Sequence, residues 1–344
     1  MKPEKKVEFT QKHTQNISSP SGAQEEKVMV KTPLQSYVIP SASYVSQTFN
    51  NCGPATLSMA LSYFGQHITQ DELREQMRPF NNPGGGNDDK SVFASEFVEY
   101  GHKYGMLGIA RPNGTSELLK TFIANDIPVI VRTWLHPHED IGHFRIVRGY
   151  DDTKGVFIQD DSYEGRNLEY TYSTFDEIWK PFNYGYIVIY PSEKQEVVEK
   201  IVGQDIDENV AYKNALERAN TNLAASPNSV YDLFNASTAY YHLGNPQKSV
   251  EYYEKAQSQS LPPRMLWYQY EPLKAYLEIK DYERVFALTD WIITNNNIAF
   301  SEMYILRGKA YLAQGNKDAA RAEFEKAVYY NKNLTIAKEA LNSL

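Results

Sequence analysis

Apolar positions in the first half of the chain recur first at helical spacing and then in short unbroken runs. Leu57, Ala60, Leu61 and Phe64 stand at i, i+3, i+4 and i+7, with Gly65 at the stop position, which predicts a helix opening near Cys52. Pro54 suits its first turn, where a missing N–H costs nothing. Thr69 and Glu72 form a capping-box pattern that starts a second, short helix. Phe93, Phe97, Tyr100 and Tyr104 give an amphipathic third, stopped by Gly105, and residues 116–124 read as a fourth. The runs 128–134, 144–150, 156–160 and 184–190 are β-branched and aromatic and read as strands, two of them joined by the hairpin chemistry of Asp151-Asp152-Thr153-Lys154-Gly155. Helices followed by an antiparallel sheet predict an α+β domain.

Beyond Pro191 the pattern changes. Residues 192–208 are a charged stretch read as a linker, and from 209 onward the periodicity is helical. Ala239-Tyr240, Ala275-Tyr276 and Ala310-Tyr311 recur at separations of 36 and 35 residues. In the last copy Tyr304, Gly308, Tyr311, Ala320, Phe324 and Ala327 match the small and large positions of tetratricopeptide repeats. The first copy keeps Tyr240, Tyr253 and Ala256, and the middle one carries Thr289 and Ile292 in the later slots. Residues 209–225 predict an added helix ahead of the array, and Ile336, Ala337, Ala340, Leu341 and Leu344 a capping helix behind it. Such pairs cannot bury their apolar faces alone and stack into a solenoid whose inner groove commonly holds a protein partner; dimerising or bracing the first domain is the alternative use. Trp267-Tyr268-Gln269-Tyr270 lines that groove or fills the stack. Residues 1–30 are rich in Lys, Glu, Gln and Ser and read as a polar disordered leader. The expected organisation is leader 1–30, α+β domain 31–191, linker 192–208 and helical repeats 209–344.

Composition narrows the function classes. With 344 residues, 42% apolar, the chain can build two real cores. A net charge of -8 without a Lys/Arg-rich stripe argues against nucleic acid or an anionic membrane as the principal partner. No stretch approaches the ~18 apolar residues of a membrane span, and residues 1–27 lack the apolar core of a secretory signal. The expected location is the cytoplasm, or an exported site after removal of a targeting segment. A single cysteine excludes an internal disulfide framework.

That cysteine is also the strongest chemical signal. In Gln47-Thr-Phe-Asn-Asn-Cys52-Gly-Pro-Ala the thiol stands at a helix start, where free N–H groups and the helix dipole favour a thiolate and lower its pKa below about 8.5. A second constellation is Gly142-His143-Phe-Arg-Ile-Val-Arg-Gly-Tyr-Asp-Asp152 followed by Val156-Phe-Ile-Gln-Asp160-Asp161. A hairpin centred on Asp151 and Asp152 pairs residues whose numbers sum to 303, so His143 faces Asp160; a one-residue slip substitutes Asp161. The rival readings are a buried inert cysteine, a core histidine and a plain surface glutamine. His136, His138, Glu139 and Asp140 beside His143 invite a metal assignment, but a loop over the cleft that touches substrate is the simpler reading, and no metal is expected. Residues 84–91 lack the glycine before lysine of a phosphate-binding loop, so no nucleotide or other cofactor is expected.

Over residues 31–191 these segments resemble the bacteriocin-processing peptidase-like family of papain-like cysteine peptidases, in the chain order Gln, Cys, His, acid. The resemblance implies Cys52 as nucleophile, His143 as general base, Asp160 as orienting acid and Gln47 as oxyanion donor; it favours Asp160 over Asp161, although Asp161 stands where many relatives have proline. It also implies a papain-like α+β fold ahead of the tetratricopeptide solenoid. The expected function is hydrolysis of a peptide or isopeptide bond in a peptide or protein substrate, with a protein partner in the repeat groove. The alternative is a catalytically inactive papain-like module acting as an interaction scaffold.

Overall fold

The structure is a computed structural model that describes residues 29–80, 91–295 and 297–344. The expected leader up to residue 28 and the glycine-rich stretch 84–90 lie outside the described residues.

The first domain opens with strand β1 (Ser36–Val38), followed by helices α1 (Cys52–Ser62), α2 (Gln70–Met77) and α3 (Ala94–Lys103). After β2 (Leu107–Arg111) and α4 (Ser116–Ala124) come β3 (Val129–Trp134), β4 (Gly142–Asp151), β5 (Val156–Asp161) and β6 (Gly165–Thr171). Helix α5 (Tyr172–Trp179) and β7 (Tyr186–Tyr190) complete it. The described strands form one antiparallel sheet in the order β2-β7-β3-β4-β5-β6, with β1 pairing the far end of β4. Helix α1 is buried from Gly53 through Ser62, which is why its residues are small or apolar all round rather than on one stripe. It packs with α2 and α3 on one side of the sheet, where Leu57, Leu61, Leu73 and Phe97 meet Ile130, Phe144, Ile146 and Ile187. Leu119, Phe122, Phe157, Phe175 and Trp179 fill the other side. The chain therefore has an α+β domain with helices on both faces of an antiparallel sheet.

The expected linker is ordered. Residues Gln195–Val202 form α6, whose Val198 and Val202 are buried in the core beneath α4. The charged faces that made this stretch read as a tether are its solvent side.

The helical half runs α7 (Glu208–Ala225), α8 (Val230–His242), α9 (Pro246–Ser258), α10 (Glu271–Glu278), α11 (Tyr282–Thr294), α12 (Ser301–Ala313), α13 (Lys317–Tyr330) and α14 (Thr335–Asn342). Thr289 and Ile292, the odd residues of the middle copy, are both fully buried. A 3-10 turn at Pro263–Trp267 separates the first pair from the second. Among the described residues no helix is long and apolar enough to cross a membrane.

The first helices of the pairs do not face an empty groove. Asp232 through Ala239 of α8 and Ser301 through Leu306 of α12 are buried without a break, which requires cover on more than the side of their own partner helices. The first domain supplies it: Trp134, Ile178 and Phe182 share one core with Leu233, Phe234, Met265, Leu273 and Met303. Polar contacts fix the match. Trp134 Nε1 donates to the Tyr231 hydroxyl at 3.1 Å, Asn235 Nδ2 to Lys180 O at 2.9 Å and Asn331 Nδ2 to Met77 O at 3.0 Å. Within this chain the repeat array braces the first domain through these contacts.

Candidate active site

Cys52 is the first residue of α1 and is partly exposed. The residue before it, Asn51, is placed to cap the helix but does not; its Nδ2 donates to Gln70 Oε1 at 2.8 Å. The first-turn N–H groups thus keep their field for the thiol. Gln70, at the start of α2, also donates to Ser46 O at 2.9 Å and accepts from Thr48 N at 3.0 Å, pinning the loop that carries Gln47. The expected capping box behind it is present: Glu72 N donates to Thr69 Oγ1, and Thr69 N to Glu72 Oε2.

The sheet brings His143 to this helix end. One turn along α1, Thr56 Oγ1 donates to Phe144 O at 3.3 Å, while the Phe144 amide faces the Cys52 sulfur. Next to it, the His143 ring lies close enough to the thiol for each to shift the other's charge. Its Nε2 lies 2.9 Å from Asp161 Oδ1, which leaves Nδ1 for sulfur. Asp161 Oδ1 also accepts from the amides of Tyr163 at 2.7 Å and Glu164 at 2.9 Å, and its Oδ2 pairs with Arg145 Nε at 3.2 Å.

Asp160 is not the partner of His143. Its Oδ2 accepts from Arg148 Nε and from Ser41 Oγ, both at 2.9 Å, and its Oδ1 from Asn167 N at 3.1 Å. Two features correct the expected register. The turn spans 152–155, so Asp151 pairs with Val156 and positions whose numbers sum to 307 face each other. Arg148 is then an extra residue on β4, a bulge between the Val147–Gln159 and Gly149–Ile158 pairs, beyond which the sum is 306. Without the bulge, odd positions on β4 would share a face with even positions on β5, and His143 would look toward Asp160. With it, odd meets odd, and Asp161 comes to His143 and Arg145.

Gln47 is tied to the same strand end: its N–H donates to Ser162 O at 2.8 Å and its Oε1 accepts from Ser162 Oγ at 2.8 Å. That bond leaves Nε2 as the amide's remaining donor group. Of the predicted residues the structure gathers Gln47, Cys52 and His143, and it places Asp160 on the opposite face of the hairpin.

Charge is distributed to match. Burial pushes the Cys52 thiol up, but the neighbouring His143 ring, the Phe144 backbone and the Arg132 guanidinium outweigh it and bring the thiol below its usual value. Burial pulls His143 down, yet Asp161 and Cys52 raise it to about 9. Burial raises Asp161, and His143 with Arg145 hold it below the usual carboxylate value. A thiolate–imidazolium pair oriented by a carboxylate can attack a carbonyl carbon and return the proton to a leaving group. His136 stands apart from this chemistry: Glu164 holds its Nε2 at 2.7 Å and Glu139 its Nδ1 at 3.1 Å. His138 is exposed, 3.7 Å from Glu177. No set of metal-ligating groups occurs among the described residues.

Residues that sequence reasoning passed over are Thr56, Arg132, Arg145 and Arg148. The signal for the arginines is visible in retrospect, since three cations on otherwise apolar strands demand buried partners.

Residues 39–187 match the model of the Peptidase C39 like family, and residues 233–260 and 301–334 match that of the tetratricopeptide repeat. No curated protein matches the chain. Among solved structures, a putative C39-like peptidase from Bacillus anthracis overlaps with 15% identity and a TM-score of 0.39, covering 45% of this chain and 96% of its own. The peptidase domain of Streptococcus ComA, a bi-functional ABC transporter involved in a quorum-sensing pathway, overlaps with 21% identity and a TM-score of 0.34, covering 44% and 100%. MamA overlaps with 19% identity and a TM-score of 0.35, covering 41% and 81%. The chain thus carries a segment that matches the Peptidase C39 like family, followed by segments that match the tetratricopeptide repeat.

Proposed function

We infer that the protein is a cysteine peptidase that hydrolyses a peptide or isopeptide bond. Cys52 attacks the carbonyl, and His143 takes the thiol proton and delivers it to the leaving amine. Asp161, in place of Asp160, holds the imidazole in one orientation and stabilises its charged form. The negative oxygen that develops is met by the Cys52 N–H at the uncapped helix start and by Gln47 Nε2, donors worth about 3 kcal/mol each. Water then releases the acyl group. Phe49, Ile141 and Tyr163, each two residues from Gln47, His143 or Asp161, are exposed and offer apolar contact to substrate side chains.

The observation that carries this reading is the His143–Asp161 hydrogen bond beside a cysteine at the start of a buried helix. Profiling a broad peptide and isopeptide library with the full chain tests it, with Cys52→Ala as control. Cleavage by the wild type and none by the variant is the expected outcome. A wild type that cuts nothing while binding library members equally well in both forms would place the domain as a binding scaffold.

A further inference from the structure

Arg132 lies on β3 opposite Phe144, in contact with groups from three separate parts of the chain. Its guanidinium carbon stands 4.2 Å over the Phe144 ring and 5.4 Å from the Tyr268 ring. Its Nη1 donates to Tyr268 O at 3.1 Å and its Nη2 to Val92 O. Among the described residues no carboxylate pairs with it. A largely buried guanidinium satisfied only by carbonyls and ring faces keeps a net positive charge to offer a neighbour. The neighbour is Cys52, which packs against the same apolar cluster as Phe144 and Val92. Val92 bounds the same helix start: a Cβ added at Gly53 would lie 2.8 Å from Val92 Cγ2.

Tyr268 belongs to the repeat half, in the segment between α9 and α10. Besides holding Arg132 it lays its ring against Gly142, where a Cβ would sit 2.8 Å from Cζ. Gly142 immediately precedes His143. One tyrosine of the repeat array thus reaches toward the sulfur through Arg132 and toward the imidazole through Gly142.

We propose that Arg132, seated by Tyr268, is the positioning charge that supports the Cys52 thiolate, which makes the repeat array a working part of the active site. The inference rests on Cys52 acting as a nucleophile. The other ionisable groups bearing on the pair are His143 from β4 and the Tyr268 phenol; Glu96 of α3 bears on Arg132 and is itself ion-paired with Arg78 at 2.6 Å.

The test is the pH dependence of iodoacetamide alkylation of Cys52 in the full chain. Arg132→Gln keeps two N–H donors for the carbonyls but removes the charge, and it is expected to slow alkylation near pH 6 about tenfold by moving the profile to higher pH. Arg132→Lys keeps the charge and is expected to stay within about threefold of wild type. A Gln profile that overlays the wild type overturns the proposal, as does a Lys variant that falls as far as Gln. Should Arg132→Gln not fold, Tyr268→Ala carries the test: a slower reaction near pH 6 supports the proposal and an unchanged one sinks it. Alkylation reads the thiol whether or not a peptide is cut. A depressed, Arg132-dependent profile without cleavage therefore fails the peptidase reading alone, whereas cleavage with an Arg132-independent profile fails this inference alone.

Discussion

The two faces of the β4–β5 hairpin treat neighbouring aspartates in opposite ways. On one face Asp161 shares its oxygens between the imidazole, two backbone amides and Arg145, close to a thiol. On the other, Asp160 is fully engaged by Arg148, Ser41 and the Asn167 amide and ties the sheet to the segment after β1. Both are buried and both carry a guanidinium partner, so neither burial nor pairing separates a mechanistic carboxylate from an architectural one. Only the strand face does, and a single unpaired residue, Arg148, sets it.

The largest expected effect comes from removing that residue. Deleting Arg148 takes out the bulge and the cation of Asp160 together, turns His143 away from Asp161, and should abolish peptide cleavage while lowering stability more than any substitution below. Urea unfolding and single-turnover assays check this, and a deletion protein that still cleaves would show the register to be set elsewhere. Next come the two carboxamides. Asp161→Asn should lower kcat/KM by about 10³–10⁴, since a carboxamide neither holds the right tautomer nor stabilises the imidazolium. Asp160→Asn should leave kcat/KM within about threefold and cost about 3 kcal/mol of stability, because Arg148 is left buried beside a neutral group. Steady-state kinetics beside denaturant curves would expose an inverted pattern. The smallest effect is one of pH. His143 titrates above its unfolded value, so its stabilising share is whole below about 6.5 and fades as pH rises through about 9. Cleavage should follow with an alkaline limb near 9, displaced to lower pH in Asp161→Asn and unmoved in Asp160→Asn. Coincident limbs in all three proteins would mean that another group titrates there.

Much of this was legible in the chain. The helix at Cys52, the Thr69–Glu72 box, the fourth helix and the repeat spacing follow from local periodicity and capping, which the folded protein keeps. The register was not, for two physical reasons. The turn stretch offers two centres, and the structure takes the later one because Asp151 Oδ1 accepts from Thr153 N and Lys154 N while Gly155 supplies a φ of 66°. The bulge had a faint sign in Gly149, a glycine inside an apolar strand. Strands β1, β2 and β6 escaped because they are short or polar, half-exposed pieces whose pairing comes from the sheet rather than from their own pattern. Helix α6 escaped because its charged side dominates the composition of a stretch that also carries Val198 and Val202.

The shared core of Trp134 and Phe182 with Leu233, Phe234 and Met303 has a consequence for how the molecule comes apart. Severed near residue 208, each half would show water a broad oily scar, and neither could melt without stripping the other. A scanning calorimeter should therefore record one heat-absorption peak, with an enthalpy set by the whole chain rather than by two tandem modules.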